Sequence, residues 1–319
     1  MLSQLVASNA LTISRSPDFD HFRNIERLGE ARSILLDGRG FAASFATLAL
    51  KSCAIYLQQT FPRILQARYC TEGVIVGFAM DDASSVTLNG LTAREASILV
   101  VKGSAVCEIV EPQANLVAFL NFNSVDNRDW PGEPDRAQLI ATEPARLVAL
   151  RTVIRKVLIL ASRLPDVLSQ PGMIDSAEES ILQAVDHAFD SASLASGGKA
   201  SNLNHYLSLV RRFDEFLAFN AGRTLYSADV ARELGVSVRT LHNAMVAIRG
   251  MSMHRYTRLR RLWNVRQQLV QGPRVDSIKA VALVNGFWHM GEFSSLYREL
   301  FGETPQQTLA EARQPRGLS

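Results

Sequence analysis

Apolar residues recur along this chain at two different spacings, and the switch between them divides it. Near the N-terminus Phe19, Phe22, Ile25, Leu28 and Ala31 return every three to four residues, which predicts a helix over 18–36 closed by the Asp37-Gly38 turn. The apolar runs then shorten and lose that period. Residues 44–58, 73–80, 86–89, 97–101, 105–110 and 116–122 read as β-strands. Turn signals lie between them at Glu72-Gly73, Asp81-Asp82, Asn89-Gly90, Lys102-Gly103 and Glu111-Pro112. Short strands so closely spaced predict an antiparallel barrel or sandwich, and a barrel of this size encloses at most one small ligand.

The helical period returns after a polar loop over 121–135 that carries Pro131 and Pro134. Helices are predicted over 144–164, 175–190 and 202–221, the first with Leu147, Leu150, Ile154, Val157, Leu158, Ala161 and Leu164 on one broad face. Between the last two lies a stretch rich in Ser, Ala and Gly from Ser191 to Ser201, a linker by composition. From Thr224 onward every pattern is helical. Ser227 is expected to cap a short helix ending at Leu234, and Ser237 the next one. A long helix over 254–270 is stopped by Gly272-Pro273.

Within this helical region a single arrangement occurs twice. Ala231, Gly235, Leu241 and Gly250 are answered by Ala282, Gly286, Phe293 and Gly302. A small Ala lets a second helix cross closely. A Gly four residues on takes the left-handed turn that other residues resist. The apolar residue beyond it pins the second helix to the first. This is how a helix-turn-helix packs, and its second helix enters the DNA major groove. Trp288, next to the second turn, is assigned to the core.

The fold class that follows is α+β, in three segments. Residues 1–140 form an antiparallel β-barrel for an effector or dimerisation, 141–221 a helical linker and dimerisation segment, and 222–319 an all-α domain with two helix-turn-helix motifs.

Charge sharpens this division. The chain of 319 residues carries +3 overall, but residues 222–319 hold 14 Lys+Arg against 7 Asp+Glu, while the remainder holds 20 against 24. A basic module on an acidic body points to a polyanion partner for the module. No apolar run reaches the ~20 residues a membrane helix needs, so no membrane partner is expected. The start Met1-Leu-Ser-Gln-Leu lacks the basic residues of a secretion signal. Cys53, Cys70 and Cys107 form no C-x-x-C pair, which suits reduced thiols in the cytoplasm.

Residues 203–313 resemble the DNA-binding domain of the AraC/XylS family of bacterial transcription regulators. The residues carrying the likeness are Ala231-x3-Gly235-Val-Ser237-x-Arg-x-Leu241, then Arg260-Arg-Leu262. The second half adds Ile278-x3-Ala282-x3-Gly286-Phe287, Phe293-Ser294, Tyr297-Arg298, Phe301-Gly302 and Thr304-Pro305. Gly286-Phe-Trp-His-x-Gly-x-Phe293 with Leu300-Phe-Gly-Glu303-Thr-Pro305 is most similar to regulators of the ethanolamine-utilisation type. The resemblance implies a seven-helix domain with two recognition helices, a cupin-like N-terminal effector domain, and promoter activation through RNA polymerase.

On the first recognition helix Ser237, Arg239, Thr240 and Asn243 are the candidate DNA contacts, because its N-terminal residues face the groove. Arg suits guanine O6/N7 and Asn suits adenine N6/N7. On the second the candidates are His289, Met290, Glu292, Ser295 and Arg298. Glu292 suits cytosine N4 but repels phosphate, and Gly291 leaves this reader the weaker of the two. Arg249, Arg255 and Arg258 are further phosphate candidates. Two such helices ~34 Å apart reach adjacent major grooves on one DNA face.

An enzyme is not expected. The histidines are His21, His187, His205, His242, His254 and His289, so none lies on the predicted strands to hold a metal. There is no G-x-S-x-G and no phosphate-binding G-x-x-x-x-G-K. No cofactor is implied. The strands hold either a small organic effector or a filled interior that only dimerises the protein. The helices around Ile181 and Val210 form either a homodimer seam or packing against the barrel. The reading is therefore a transcription activator answering to a small molecule; the alternative is control by a protein partner or by redox state.

Overall fold

Alternation at every second residue decides the front of the chain, because a strand sends successive side chains to opposite faces. The computed structural model describes residues 1–16, 29–39, 41–81, 85–93, 95–125, 128–190, 192–194, 200–220, 225–271 and 277–313. Its strands are β1 (Leu11–Ser16), β2 (Gly29–Leu35), β3 (Ala43–Ala49), β4 (Cys53–Gln59), β5 (Arg63–Ala79), β6 (Thr87–Leu88), β7 (Leu91–Thr92), β8 (Ser97–Glu111), β9 (Leu116–Phe122), β10 (Arg136–Ala141) and β11 (Ser193–Leu194). They join one sheet in the order β1-β3-β4-β9-β5-β8-β10-β11, with β2 beside β5 and β6 between β7 and β8. The ladders β1–β3, β4–β9 and β8–β10 are antiparallel, with Leu11 against Leu48, Ile55 against Leu120 and Leu139 against Leu99.

Both faces of this sheet are buried. Val74, Val76 and Phe78 of β5, Ile98 and Val100 of β8, and Ala118, Leu120 and Phe122 of β9 enter one core. Their neighbours Ile75, Leu99, Val101 and Phe119 enter a second, made wholly of residues from the sheet and its turns. The first core is completed by helices α1 (Pro144–Arg163), α2 (Pro165–Leu168) and α3 (Met173–Phe189), through Leu147, Ile154, Leu158, Ile181 and Val185. Polar bolts fix the helices in place. The buried Arg151 donates to the carbonyls of Ala79 (2.7 Å) and Asp81 (3.0 Å). Asp186 accepts from the Trp130 indole at 2.7 Å and pairs with Arg128.

Several sequence expectations change here. The turn predicted at Glu72-Gly73 does not interrupt the sheet, since β5 runs through it from Arg63 to Ala79. Residues 29–35, the end of the predicted first helix, form strand β2, whose Ile34 and Leu35 are buried. Pairing with β5 overrides the helical spacing; the rest of that helix, 18–28, lies outside the described residues. Lys102-Gly103 does not end a strand. β8 runs through it, with Gly103 at φ +71° and the Asp135 carboxylate accepting from the Ser104 N–H at 2.8 Å, while the ladder to β10 covers Ser97–Lys102 and ends there. In the Ser191 to Ser201 stretch, Ser193–Leu194 is strand β11, paired with β10.

The chain divides into two compact units. One comprises Met1–Ser33, Phe41–Phe61 and Leu65–Gly198, the other Ile34–Gly40, Pro62–Ile64 and Lys199–Ser319. Seven helices are described in the second: α4 (Ala200–Phe219), α5 (Ser227–Glu233), α6 (Val238–Arg249), α7 (Met253–Val270), α8 (Ile278–Val284), α9 (Met290–Phe301) and α10 (Pro305–Arg313). Within this unit the Gly38 N–H donates to the Leu300 carbonyl at 2.7 Å. A Cβ at Gly38 would stand 2.6 Å from that oxygen, so the position admits no side chain.

Candidate nucleic-acid interface

Two helix pairs, α5–α6 and α8–α9, carry the repeated residues. Ala231 and Ala282 are buried where the second helix of each pair crosses, and Leu241 and Phe293 are each 1% exposed. Gly235 and Gly286 turn the chain at φ +68° and +81°, and Gly250 and Gly302 close α6 and α9 at φ +66° and +75°. At Gly235 a Cβ would meet open space. At Gly286 it would stand 3.1 Å from Nη1 of Arg261, whose guanidinium lies over that turn. Burial holds the Arg261 pKa below the usual guanidinium value.

Helix α6 is amphipathic. Leu241, Ala244, Met245 and Ile248 are buried, while Arg239, His242, Asn243 and Val246 form the exposed strip. Its N-cap is built as the sequence predicts: the Ser237 Oγ accepts from the Thr240 N–H at 3.0 Å and shares a hydrogen bond with the Thr240 hydroxyl at 2.8 Å. Ser237 and Thr240 thus satisfy each other at the helix start. Arg239 and Asn243, one turn apart, remain exposed on this strip beside His242. The cap of α5 differs from expectation. Tyr226 holds the N-cap position and Ser227 is the first helical residue, its hydroxyl 2.9 Å from Nε2 of His254.

Helix α9 buries Phe293, Tyr297, Leu300 and Phe301 and exposes Glu292, Ser294, Ser295, Arg298 and Glu299; Met290 is half-buried. His289 is its N-cap, exposed and without a side-chain cap bond. Glu292 sits in the first turn, where a negative charge offsets the positive end of the helix dipole. Trp288 is 69% exposed and not in the core, because Phe287 takes the inward position against Phe293, at 5.2 Å between ring centroids.

Each pair is fastened by a buried arginine. Arg249, at the end of α6, is only 1% exposed and so is not on the surface where a phosphate contact was expected. It donates to both carboxylate oxygens of Asp214 on α4, which also accepts from the Tyr256 hydroxyl at 2.8 Å. The guanidinium stands 3.9 Å from the Tyr256 ring centroid. Beside the second pair, Arg266 of α7 donates to Glu303, just past the end of α9, at 2.5 Å, and Glu303 accepts from Thr308 of α10 at 2.6 Å. Thr308 shares a 2.9 Å hydrogen bond with Tyr297, whose hydroxyl pKa burial pushes up to about 12. Sequence spacing alone could not reveal these partners, since Asp214 and Glu303 lie 35 and 37 residues from their arginines. Arg255, Arg258 and Arg298 are exposed, as a phosphate contact would require.

Comparison with known proteins bears on these same residues. Residues 230–311 match the family described as helix-turn-helix domain. The chain is 31% identical over 102 residues to the probable thc operon regulatory protein of Rhodococcus erythropolis, covering 32% of this chain and 31% of that protein. It is 33% identical over 103 residues to the XylDLEGF operon transcriptional activator of Pseudomonas putida, covering 32% of each. The match spans about a third of the length of these curated relatives. A solved structure of a probable AraC family transcriptional regulator from Rhodopseudomonas palustris is 33% identical, over 33% of this chain and 98% of that one, with a TM-score of 0.31. These names do not bear on the ethanolamine-type likeness.

Proposed function

Through its last third this chain belongs to the AraC/XylS family of transcription regulators, and we propose that it binds promoter DNA sequence-specifically and activates transcription there. The carrying observation is the pair of helix-turn-helix units, each with a buried apolar anchor and an exposed second helix, in the basic region of the chain. Arg239 and Asn243 read bases in one major groove. His289, Met290, Glu292 and Ser295 stand at the next, and Arg255, Arg258 and Arg298 position the duplex through its phosphates. Such contacts release counterions, so binding weakens as salt rises, by a slope of about −0.9 per phosphate neutralised. Footprinting of the purified chain on the DNA flanking its own gene, across a salt series, tests this. Two protected blocks on one face support the reading, and salt-insensitive or unpatterned protection refutes it.

The protein works in the cytoplasm with RNA polymerase, as a homodimer. A small organic effector enters the second core of the sheet, around Tyr69, Leu99, Ile109 and Phe119. This core is apolar and aromatic, and an apolar ligand entering it would leave water for surroundings of that kind. A redox alternative finds less support in the thiols. Cys53 and Cys107 are buried, and burial beside Glu178 pushes the Cys53 thiol up to about 12, far from the thiolate that oxidation requires.

A further inference from the structure

The two turns differ by one residue. Between Gly235 and the N-cap Ser237 stands Val236 alone, whereas between Gly286 and the N-cap His289 stand Phe287 and Trp288. The added residue lets the chain do two things at once. Phe287 turns in to the anchor Phe293, and Trp288 turns out, 69% exposed at the amino end of α9. Counted back from the anchors Leu241 and Phe293, Gly291 occupies the place that Arg239 has on α6. The second helix thus lacks the long reader of the first and carries beside its N-cap the largest side chain type there is. An indole in water gives up apolar burial worth keeping, and nothing within the described residues of the second unit covers it. In a helix-turn-helix the amino end of the second helix is the end that meets base edges.

From this arrangement we infer that Trp288 is a specificity-determining residue, its indole lying against thymine methyl groups in the second major groove. The inference rests on the DNA-binding reading above. It accounts for a second helix whose exposed side chains near its start, Glu292, Ser294 and Ser295, include no cation. Discrimination there is apolar: the thymine methyl marks one base pair in the major groove, and an aromatic face recognises it without a hydrogen bond.

The test uses the full chain and a duplex that the wild-type protein selects from a randomised pool. The chain has three tryptophans, and Trp130 and Trp263 are buried, so acrylamide quenching of the emission reports chiefly on Trp288. The duplex is expected to shield wild-type emission and to have no such effect on Trp288→Phe. Uracil in place of thymine in the second half-site should weaken wild-type binding about fourfold, the effect of one methyl returned to water, and leave Trp288→Ala unchanged. Trp288→Ala should relax selection in the second half-site and keep the first. If the wild-type chain selects no sequence, the DNA-binding reading falls and this inference with it. If it selects a site that Trp288→Ala selects identically, with the same uracil penalty, only the inference falls. The same holds if Trp288→Ala keeps its site and affinity but fails to activate transcription, which assigns Trp288 to a protein partner.

Discussion

Arg249 and Asp214 form a two-pronged ion pair, at 2.9 and 2.5 Å, that ties the end of α6 to α4. The arginine side chain is fully buried and the aspartate 17% exposed. A buried pair adds little over an apolar replacement, but removing one member strands the other charge. Asp214→Ala is therefore expected to destabilise the second unit by about 3–5 kcal/mol, measured by urea unfolding. Arg249→Met combined with Asp214→Leu should recover most of that loss.

The same pair bears on where the DNA-binding domain begins. We propose that α4 belongs to it, so that a fragment of residues 200–319 melts cooperatively. A fragment of residues 222–319 keeps Arg249 without Asp214 and should lack a sharp thermal transition. Calorimetry of the two fragments decides this.

The two turn glycines should differ under one substitution. Gly235→Ala meets open space and bears only the cost of the left-handed backbone, about 1–2 kcal/mol. Gly286→Ala bears the same backbone strain and must also displace Arg261. It is expected to be the less stable variant, by chemical denaturation. Equal losses would show that the Arg261 side chain yields freely.

Thiol accessibility gives a further check. Cys70 is exposed, whereas Cys53 and Cys107 are buried. One thiol per native chain should react quickly with an aromatic disulfide reagent at mild pH, and the other two only on unfolding. Fast reaction of two or three would revive control by redox state.

The effector proposal is tested by thermal shift against small amines, amino acids and aromatic compounds. A true ligand at about 100 times its dissociation constant stabilises by about 2.7 kcal/mol. A flat panel would favour control by a protein partner.

What the sequence revealed depended on how local its cause was. The strand Leu116–Phe122 and the helices after Pro144 follow from short-range periodicity, and the Ser237 cap from a single side chain reaching three residues on. The failures had distant causes. The helical spacing extends through Ala31 to Leu36, yet Gly29–Leu35 pairs with β5. Arg249 looks like a surface cation until Asp214, far away in sequence, supplies its partner. Trp288 looks like core because aromatic residues usually are; the one-residue difference between the turns was present in the sequence as the signal that frees it. The lining of the second core was readable only as alternation, since which strands enclose it is set by long-range pairing.

The most direct test of the central claim is selection of bound duplexes from a randomised pool by the wild-type chain and by Arg239→Ala. Two enriched blocks about one helical turn apart are expected for the wild-type chain. Arg239→Ala should lose preference at one base position in one block, with a cost of about 1–3 kcal/mol. No enriched sequence, or the same site bound equally well by both proteins, would contradict sequence-specific reading by the paired helices.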